Sequence, residues 1–322
     1  MIHRQRTLLD TDMQHVVNKL QAEETSVTPY RKEYRRLLDN HGKMLRAALL
    51  LCFGRIQDDD NHQPFRADSP LLTGAAAIEM LHLATLVHDD VLDDADTRRD
   101  QPTTHSIYGN KAAIYLGDLI LSRYMEIMAS IAPDTAFLQE QAGTVCEIVS
   151  GELLQESGRG NTHITREYYE RVIQGKTAAL FRLACTTGVK LSQTNPDPDL
   201  LKSAHDFGQH LGMAFQIIDD IGDFDTSHAS GKPKLEDIRE NIYTLPVIEA
   251  LASDQSFAQI LEKHEPLSVV DYLTAHPEFI AASKSRANYH IQQAQKAVES
   301  VTTTPSVLDL LKDLTSTLAR QL

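Results

Sequence analysis

Apolar residues recur at intervals of three and four along most of the chain, the spacing of helices that bury one face. Residues 7–39 carry this pattern and lose it near Ser26 to Pro29, which predicts two helices joined by a turn. A third helix is expected from near Lys43 through Leu45-Arg46-Ala47-Ala48-Leu49-Leu50-Leu51. Residues 71–94 are apolar almost throughout, as in a helix buried on most sides, and Ala75-Ala76-Ala77 lets a neighbour approach closely. Further helices are predicted over 111–130, 135–154, from near Thr165 onward, and over 199–223. Gly175 falls in or beside the helix after Thr165. Leu245-Pro246 opens another, and the remainder reads as helices separated by Pro266, Pro277 and Pro305. Loops are expected at 57–70, 98–104 and 226–234.

Composition sharpens this into a fold class. Glycine numbers only 15, none of them after Gly231, and Leu, Ala, Glu and Gln are abundant, so the expectation is all-α. No shift in composition marks a linker and no 20–50-residue period appears, so 1–322 reads as one domain. A net charge of −14 without a basic run excludes the usual nucleic-acid binder. Cys52, Cys146 and Cys185 fit neither a disulfide framework nor a zinc site, and read as thiols in a reducing compartment. The N-terminus lacks the apolar core of a signal peptide, and no stretch offers the roughly 20 uninterrupted apolar residues of a spanning helix. A soluble, cytoplasmic protein with no transmembrane segment is expected. The run Asp58-Asp59-Asp60 reads as solvated surface charge.

Two other acidic runs are different in kind. Asp89-Asp90-Val91-Leu92-Asp93 and Asp219-Asp220-Ile221-Gly222-Asp223 share the pattern D-x-x-x-D with a second Asp, and both lie in apolar, helical stretches. Residues four apart share a helix face, so Asp89/Asp93 and Asp219/Asp223 form two carboxylate pairs. Carboxylates crowded on inner faces repel one another and resist desolvation. Hard divalent cations bound through oxygen are the natural counter-charge, and a diphosphate could bridge them.

Cationic groups accompany the clusters. Arg98 and Arg99 follow the first within two turns and offer bidentate donors to phosphate oxygens. Lys43 and Arg46, three apart, share a face near a predicted helix start, and His82 lies two turns before Asp89. Such a histidine can equally be a satisfied core residue. Lys176-Thr177 puts a cation and a hydroxyl in an apolar helix, which is costly unless they face a polar site.

These residues resemble the trans-isoprenyl diphosphate synthases, or polyprenyl synthetases, over essentially the whole chain. The ordered matches are GKxLR at 42–46, IExLHxATLVHDDVLDxAxxRR at 78–99, GD at 117–118, GELLQ at 151–155, GKTAALF at 175–181, GMAFQIIDDIGD at 212–223, GK at 231–232 and TLP at 244–246. The resemblance implies an isoprenoid synthase fold: roughly ten or more helices around a central deep cavity. It implies Mg²⁺, three ions per site, held mainly by Asp89, Asp93 and Asp219 with Asp90, Asp220 and Asp223 in support. Arg98, Lys176 and Lys232 would hold an allylic diphosphate. Lys43, Arg46, His82 and Arg99 would hold isopentenyl diphosphate, while Thr177 and Gln216 would line the reacting centre.

The chain departs from the family pattern in places. His41, Met44 and Ala47 replace residues of a Gly-Gly-Lys-Arg-x-Arg-Pro run, and Asp100 stands where Gly commonly follows Arg-Arg. Leu235 replaces a further Gly, and Asn241-Ile242 replaces Gly-Lys, which removes one diphosphate contact. In this family, positions four and five before the first Asp face the tunnel into which the product grows. Here they are the small residues Thr85 and Ala84, with Leu81 one turn deeper, which predicts a C30–C40 product.

Four other readings compete. A farnesyl or geranylgeranyl synthase would make a shorter product. A class I terpene cyclase normally carries an N-D/S-E second metal motif, and a phosphohydrolase reading of His88-Asp89 leaves the downstream twin unexplained. A non-catalytic regulatory subunit typically loses one cluster, so this chain, with both, would be the catalytic member beside any small regulatory partner. A homodimer is the family's expectation.

Overall fold

Prolines begin helices here rather than interrupting them. Pro70, Pro198, Pro246, Pro266, Pro277 and Pro305 all occupy a first turn, where the missing N–H has no intrahelical partner to lose. Ser69 and Thr165 cap the helices after them by accepting the N–H of Leu71 and Tyr168. The structure, a computed structural model, describes residues 2–40, 42–56, 63–224, 235–263, 265–299, 301 and 304–322. The loop at 226–234 and the Asp58–Asp60 run lie outside the described residues.

The order is α1 (Ile2–Ala22), α2 (Arg31–Asp39), α3 (Leu45–Gly54), α4 (Pro70–Leu92), the strands β1 (Thr97–Arg98) and β2 (Gln101–Pro102), α5 (Thr104–Tyr108) and α6 (Asn110–Ile131). It continues through α7 (Thr135–Ser157), α8 (Arg166–Ile173), a π-helical turn (Gln174–Ala178), α9 (Ala179–Ser192) and α10 (Pro198–Gly222). The last elements are α11 (Glu236–Arg239), α12 (Leu245–Ser253), α13 (Ala258–Leu261), α14 (Pro266–Ala275), α15 (Pro277–Glu299) and α16 (Pro305–Ala319). The all-α reading holds with one amendment. The loop expected at 98–104 contains an antiparallel hairpin, Thr97 opposite Pro102 and Arg98 opposite Gln101.

Backbone contacts divide the chain into two compact units: Met1–Gly143 with Leu183–His205 and Val301–Leu311, and Thr144–Arg182 with Asp206–Ser300 and Lys312–Leu322. In the first, α4 is the core helix. It packs against α1, α3 and α6, and Leu72, Ala75, Ala77, Ile78 and Met80 are fully buried. By length and composition α4 could cross a membrane, contrary to the sequence reading, but 61% of its most apolar window is buried inside the fold. Gly188 of α9 brings that helix onto α3, since a Cβ there would lie 2.2 Å from the Leu50 carbonyl oxygen.

A buried ion pair also fastens this unit. Arg55 donates to Asp12, whose other oxygen accepts the Phe65 N–H at 2.8 Å. Neither side chain is more than 9% exposed. Asp12→Ala is expected to cost about 3–5 kcal/mol by stranding the guanidinium, read as a lower midpoint in urea unfolding.

In the second unit α8 is tied to α12 by a bidentate Arg166–Glu249 pair, both bonds 2.8 Å, and to α15 by Arg286–Glu170. His210 of α10 meets His290 of α15, Nδ1 to Nδ1 at 2.9 Å. Gly208 and Gly212 let α10 approach the backbone of Arg182 and Ala178.

Candidate active site

The first cluster closes α4. The Asp93 N–H donates to the Asp89 carbonyl oxygen at 2.9 Å, so the helical spacing that pairs the two side chains is present. Asp89 is half-buried and Asp93 exposed. Asp90 points inward at 3% exposure and accepts Arg98 Nε at 2.6 Å. Arg98 and Asp90, read separately from sequence, thus engage each other.

The hairpin aims both arginines. Asn40, just after α2, donates to the Arg98 carbonyl at 3.2 Å, and Arg36 of α2 to that of Pro102 at 2.6 Å. Arg99 and Asp100, at φ 51 and 62, form a two-residue turn with both residues left-handed, the type that favours Asn-Gly. The Gly of the family pattern at 100 is therefore a turn requirement that Asp meets with some strain. Asp100→Gly is expected to raise stability by roughly 1 kcal/mol, measurable as a higher thermal midpoint. Leu235 and Asn241, the other Gly departures, are likewise left-handed, at φ 55 and 58.

Arg99 donates to the Asn40 carbonyl at 2.8 Å and lays its guanidinium on Gly42, where a Cβ would meet Nη2 at 2.6 Å. Gly42 precedes the exposed Lys43, and Met44 enters α3 with a left-handed φ of 47. Arg46 follows in the first turn. Burial pushes its guanidinium down to about 10, opposed by the Glu79 carboxylate. That carboxylate also accepts the Ala47 N–H at 2.8 Å, satisfying a donor at the start of α3.

Burial, then the charges of Arg46, Arg98 and Arg99, hold the His82 imidazole well below its usual range, so it is neutral at pH 7. A histidine in the field of three guanidinium groups is a setting that favours an anion.

Two residues here carry positioning roles that the sequence reading did not assign. Glu79 is one. The other is His88, whose Nε2 lies 3.3 Å from the Ile114 carbonyl oxygen and 3.2 Å from an Asp118 oxygen. Gly117 admits the ring, since a Cβ there would meet Nε2 at 2.4 Å. The Gly-Asp of α6 thus fixes α4 one residue before Asp89. Of the residues that the resemblance suggests set product length, Leu81 and Ala84 are both buried at 1% exposure. Thr85 is half-buried, its hydroxyl donating to the His82 carbonyl at 2.8 Å.

The second cluster ends α10. Asp219 is exposed, and Asp223, 8% exposed, donates its N–H to the Asp219 carbonyl at 3.2 Å. Asp220 turns inward, where it accepts Tyr169 Oη at 2.5 Å and Gln216 Nε2 at 2.7 Å. Gln216 Oε1 in turn accepts the Thr177 hydroxyl at 2.6 Å. Thr177, Gln216 and Asp220 therefore form one chain, with Tyr169 a member that sequence reasoning missed.

Lys176 and Thr177 both lie in the π-helical turn. Such turns arise where an extra residue is accommodated, often at functional sites. Here two glycines cross, for a Cβ on Gly151 would sit 2.3 Å from the Lys176 nitrogen and one on Gly175 2.9 Å from the Glu147 carbonyl oxygen. Lys176 lines a cavity of about 60 Å³ with Gln216, Asp220, Asp237 and Ile242. Asp237 is a further carboxylate missed in the sequence. Lys232 lies outside the described residues.

Among the described residues, no three or more His, Cys, Asp or Glu side chains make a ready metal cage. The donor chemistry nevertheless fits a hard cation. Burial pushes Asp220 up to about 7, against the hydrogen bonds of Tyr169 and Gln216, and Asp219 raises it further. Burial, then Asp220 and Asp223, hold Asp237 well above the carboxylate range. Crowded carboxylate oxygens are the hard donors that Mg²⁺ takes, and a cation there would offset their mutual repulsion.

Comparisons with known proteins give the family. The chain is 36% identical over 233 residues to Solanesyl-diphosphate synthase 1 of Oryza sativa, covering 70% of this chain but 53% of that protein. It is 34% identical over 256 residues to Heptaprenyl diphosphate synthase component 2 of Geobacillus stearothermophilus, covering 79% and 77%. A decaprenyl diphosphate synthase from Rhodobacter capsulatus has a similar solved structure, with TM-score 0.87, 30% identity, and 100% and 99% of the two chains covered. The aspartate clusters, the arginine-ringed histidine and the Lys-Thr turn are joined by a family match named Polyprenyl synthetase over residues 28–274, and the chain belongs to that family.

Proposed function

We propose that this protein is a trans-polyprenyl diphosphate synthase that condenses isopentenyl diphosphate with an allylic diphosphate to give an all-trans C30–C40 polyprenyl diphosphate. The observation that carries the reading is the cationic field of Arg46, Arg98 and Arg99 at His82, on the helix that ends in Asp89 and Asp93. A hydrolase of simple phosphates has no need of a separate cationic pocket beside its acidic cluster. A condensing enzyme has to seat two diphosphates.

In this reading Lys43, Arg46, His82 and Arg99 hold isopentenyl diphosphate, while Arg98, Lys176 and Lys232 hold the allylic diphosphate. Asp89, Asp93 and Asp219, with the neighbouring carboxylates, would hold Mg²⁺, which would supply positive charge to the departing diphosphate. The C–O bond breaks with its electron pair leaving on oxygen. Thr177 and Gln216 turn oxygen dipoles toward the allylic cation. The double bond of isopentenyl diphosphate then supplies the electrons of the new C–C bond, and a proton lost to a released diphosphate oxygen restores the alkene. Positioning does most of the work, since no side-chain nucleophile takes part.

The C30–C40 range rests on the small Ala84 and on a relative named as a heptaprenyl diphosphate synthase component. A second copy of this chain is the partner we favour, with Ile114 and Tyr115, 43% and 63% exposed on α6, as interface residues. One relative's name, component 2, supports a second reading in which this chain is the catalytic member beside a small regulatory subunit. A cytoplasmic location is part of the proposal.

The test is purified protein with Mg²⁺, labelled isopentenyl diphosphate and C5, C10, C15 or C20 primers, followed by product sizing. Absence of elongation with every primer overturns the reading. Elongation only after adding a second subunit selects the heteromeric form.

A further inference from the structure

The hairpin at 97–102 is not held in place by burial. None of its six residues is buried, and each strand is two residues long. Its turn residues, Arg99 and Asp100, are both left-handed. A two-stranded hairpin of this kind is marginal in water on its own, so what fixes it must be polar.

The α2 segment supplies that fixing from one helical face, where Glu33, Arg36 and Asn40 are spaced three and four apart. Glu33 is 1% exposed. Its two oxygens accept Arg36 Nη2 and Nε, the second at 2.8 Å, and one of them also accepts the hydroxyl of the fully buried Thr104 at 2.6 Å. A guanidinium is planar, so committing Nε and Nη2 to a carboxylate fixes the direction of Nη1. Here Nη1 donates to the Pro102 carbonyl at 2.6 Å. Through Arg36 and Thr104, one buried carboxylate therefore governs the end of the second strand and the start of α5.

Asn40 engages the first strand. Its amide donates to the Arg98 carbonyl at 3.2 Å, and its own carbonyl accepts Arg99 Nη1 at 2.8 Å. That carbonyl caps the C-terminus of α2, an end that favours a cation. The charges of Glu33 and Arg36 offset each other, so the pair contributes direction rather than field.

We infer that Arg36, oriented by Glu33, is a positioning residue for Arg99: it fixes the hairpin against α2 so that the Arg99 guanidinium stays over Gly42. The inference rests on the proposed role of Arg99 in holding isopentenyl diphosphate, and carries that role back to α2.

The double variant Glu33→Gln with Arg36→Gln removes both charges together, so none is stranded in the core, and the new amide carbonyl can still accept Thr104. Amide exchange over 97–103 is expected to quicken about tenfold, the scale of one charge-assisted hydrogen bond, while α4 exchanges as before. The Kd for isopentenyl diphosphate, measured by calorimetry without Mg²⁺ or primer, is expected to rise about tenfold. KM for that substrate follows, with kcat much less changed. In an Arg99→Gln background the same double change is expected to move Kd less than about twofold, because the group it positions is gone.

Unchanged exchange over 97–103, faster exchange throughout α4 as well, or an equal Kd shift in the Arg99→Gln background overturns the inference. Hydrogen exchange needs neither ligand nor turnover. If wild type elongates no primer, the proposed reaction falls while the exchange still decides whether Arg36 holds the hairpin.

Discussion

Asp219→Ala is expected to lower turnover by about a thousandfold or more, on the scale of removing an oriented electrostatic group from a reacting centre, while the fold survives. The two halves of that expectation have separate grounds. The Asp219 side chain is exposed at the end of α10, so its loss opens no cavity in the core. Chemically it is the most accessible carboxylate of its cluster, because Asp220 is committed to Tyr169 and Gln216 and Asp223 is largely buried.

Asp220→Ala is a different experiment. It removes the acceptor that orients Gln216, and through Gln216 the Thr177 hydroxyl, so it is expected to disturb both packing and chemistry. Steady-state kinetics with far-ultraviolet circular dichroism on Asp219→Ala separates the effects. Turnover within tenfold of wild type would remove Asp219 from the metal set and with it the assignment of the second cluster.

Much of this was legible before any coordinates, and the reason is periodicity. A helix of 23 residues such as α4 repeats its pattern often enough to fix its extent, and a D-x-x-x-D spacing on it fixes which carboxylates share a face. Spacing does not say which acidic side chain turns inward. Asp89, Asp90 and Asp93 are equivalent in composition, yet it is Asp90 that turns inward to meet Arg98, because the hairpin at 97–102 returns the chain against α4.

That hairpin was itself hidden. Two-residue strands leave no alternating pattern, and its turn is Arg99-Asp100 rather than the Asn-Gly that would have announced it. Asp237 and Tyr169 escaped for another reason. Each stands alone in its own segment and joins the site only when α8, α10 and the chain after 235 are folded together.

Ala84→Phe is expected to shorten the product, and the same variant distinguishes a tunnel wall from a packing contact. Ala84 is 1% exposed on α4, one turn from Leu81 and beside Thr85, whose hydroxyl is already tied to the His82 carbonyl. If Ala84 is small because the growing chain passes it, a phenyl ring enters space that is vacant without product. Stability then changes little, and growth stops when the tail reaches the ring. If Ala84 is small because helices close on it, the ring has no room and the core is overpacked at a cost of about 1–3 kcal/mol. Thermal unfolding and product sizing on the same preparation decide between the two. A shorter product at nearly unchanged stability places Ala84 on the product's path. A lower unfolding midpoint with full-length product returns it to the core, and chain length is then set by residues further along α4 or on the helices around it.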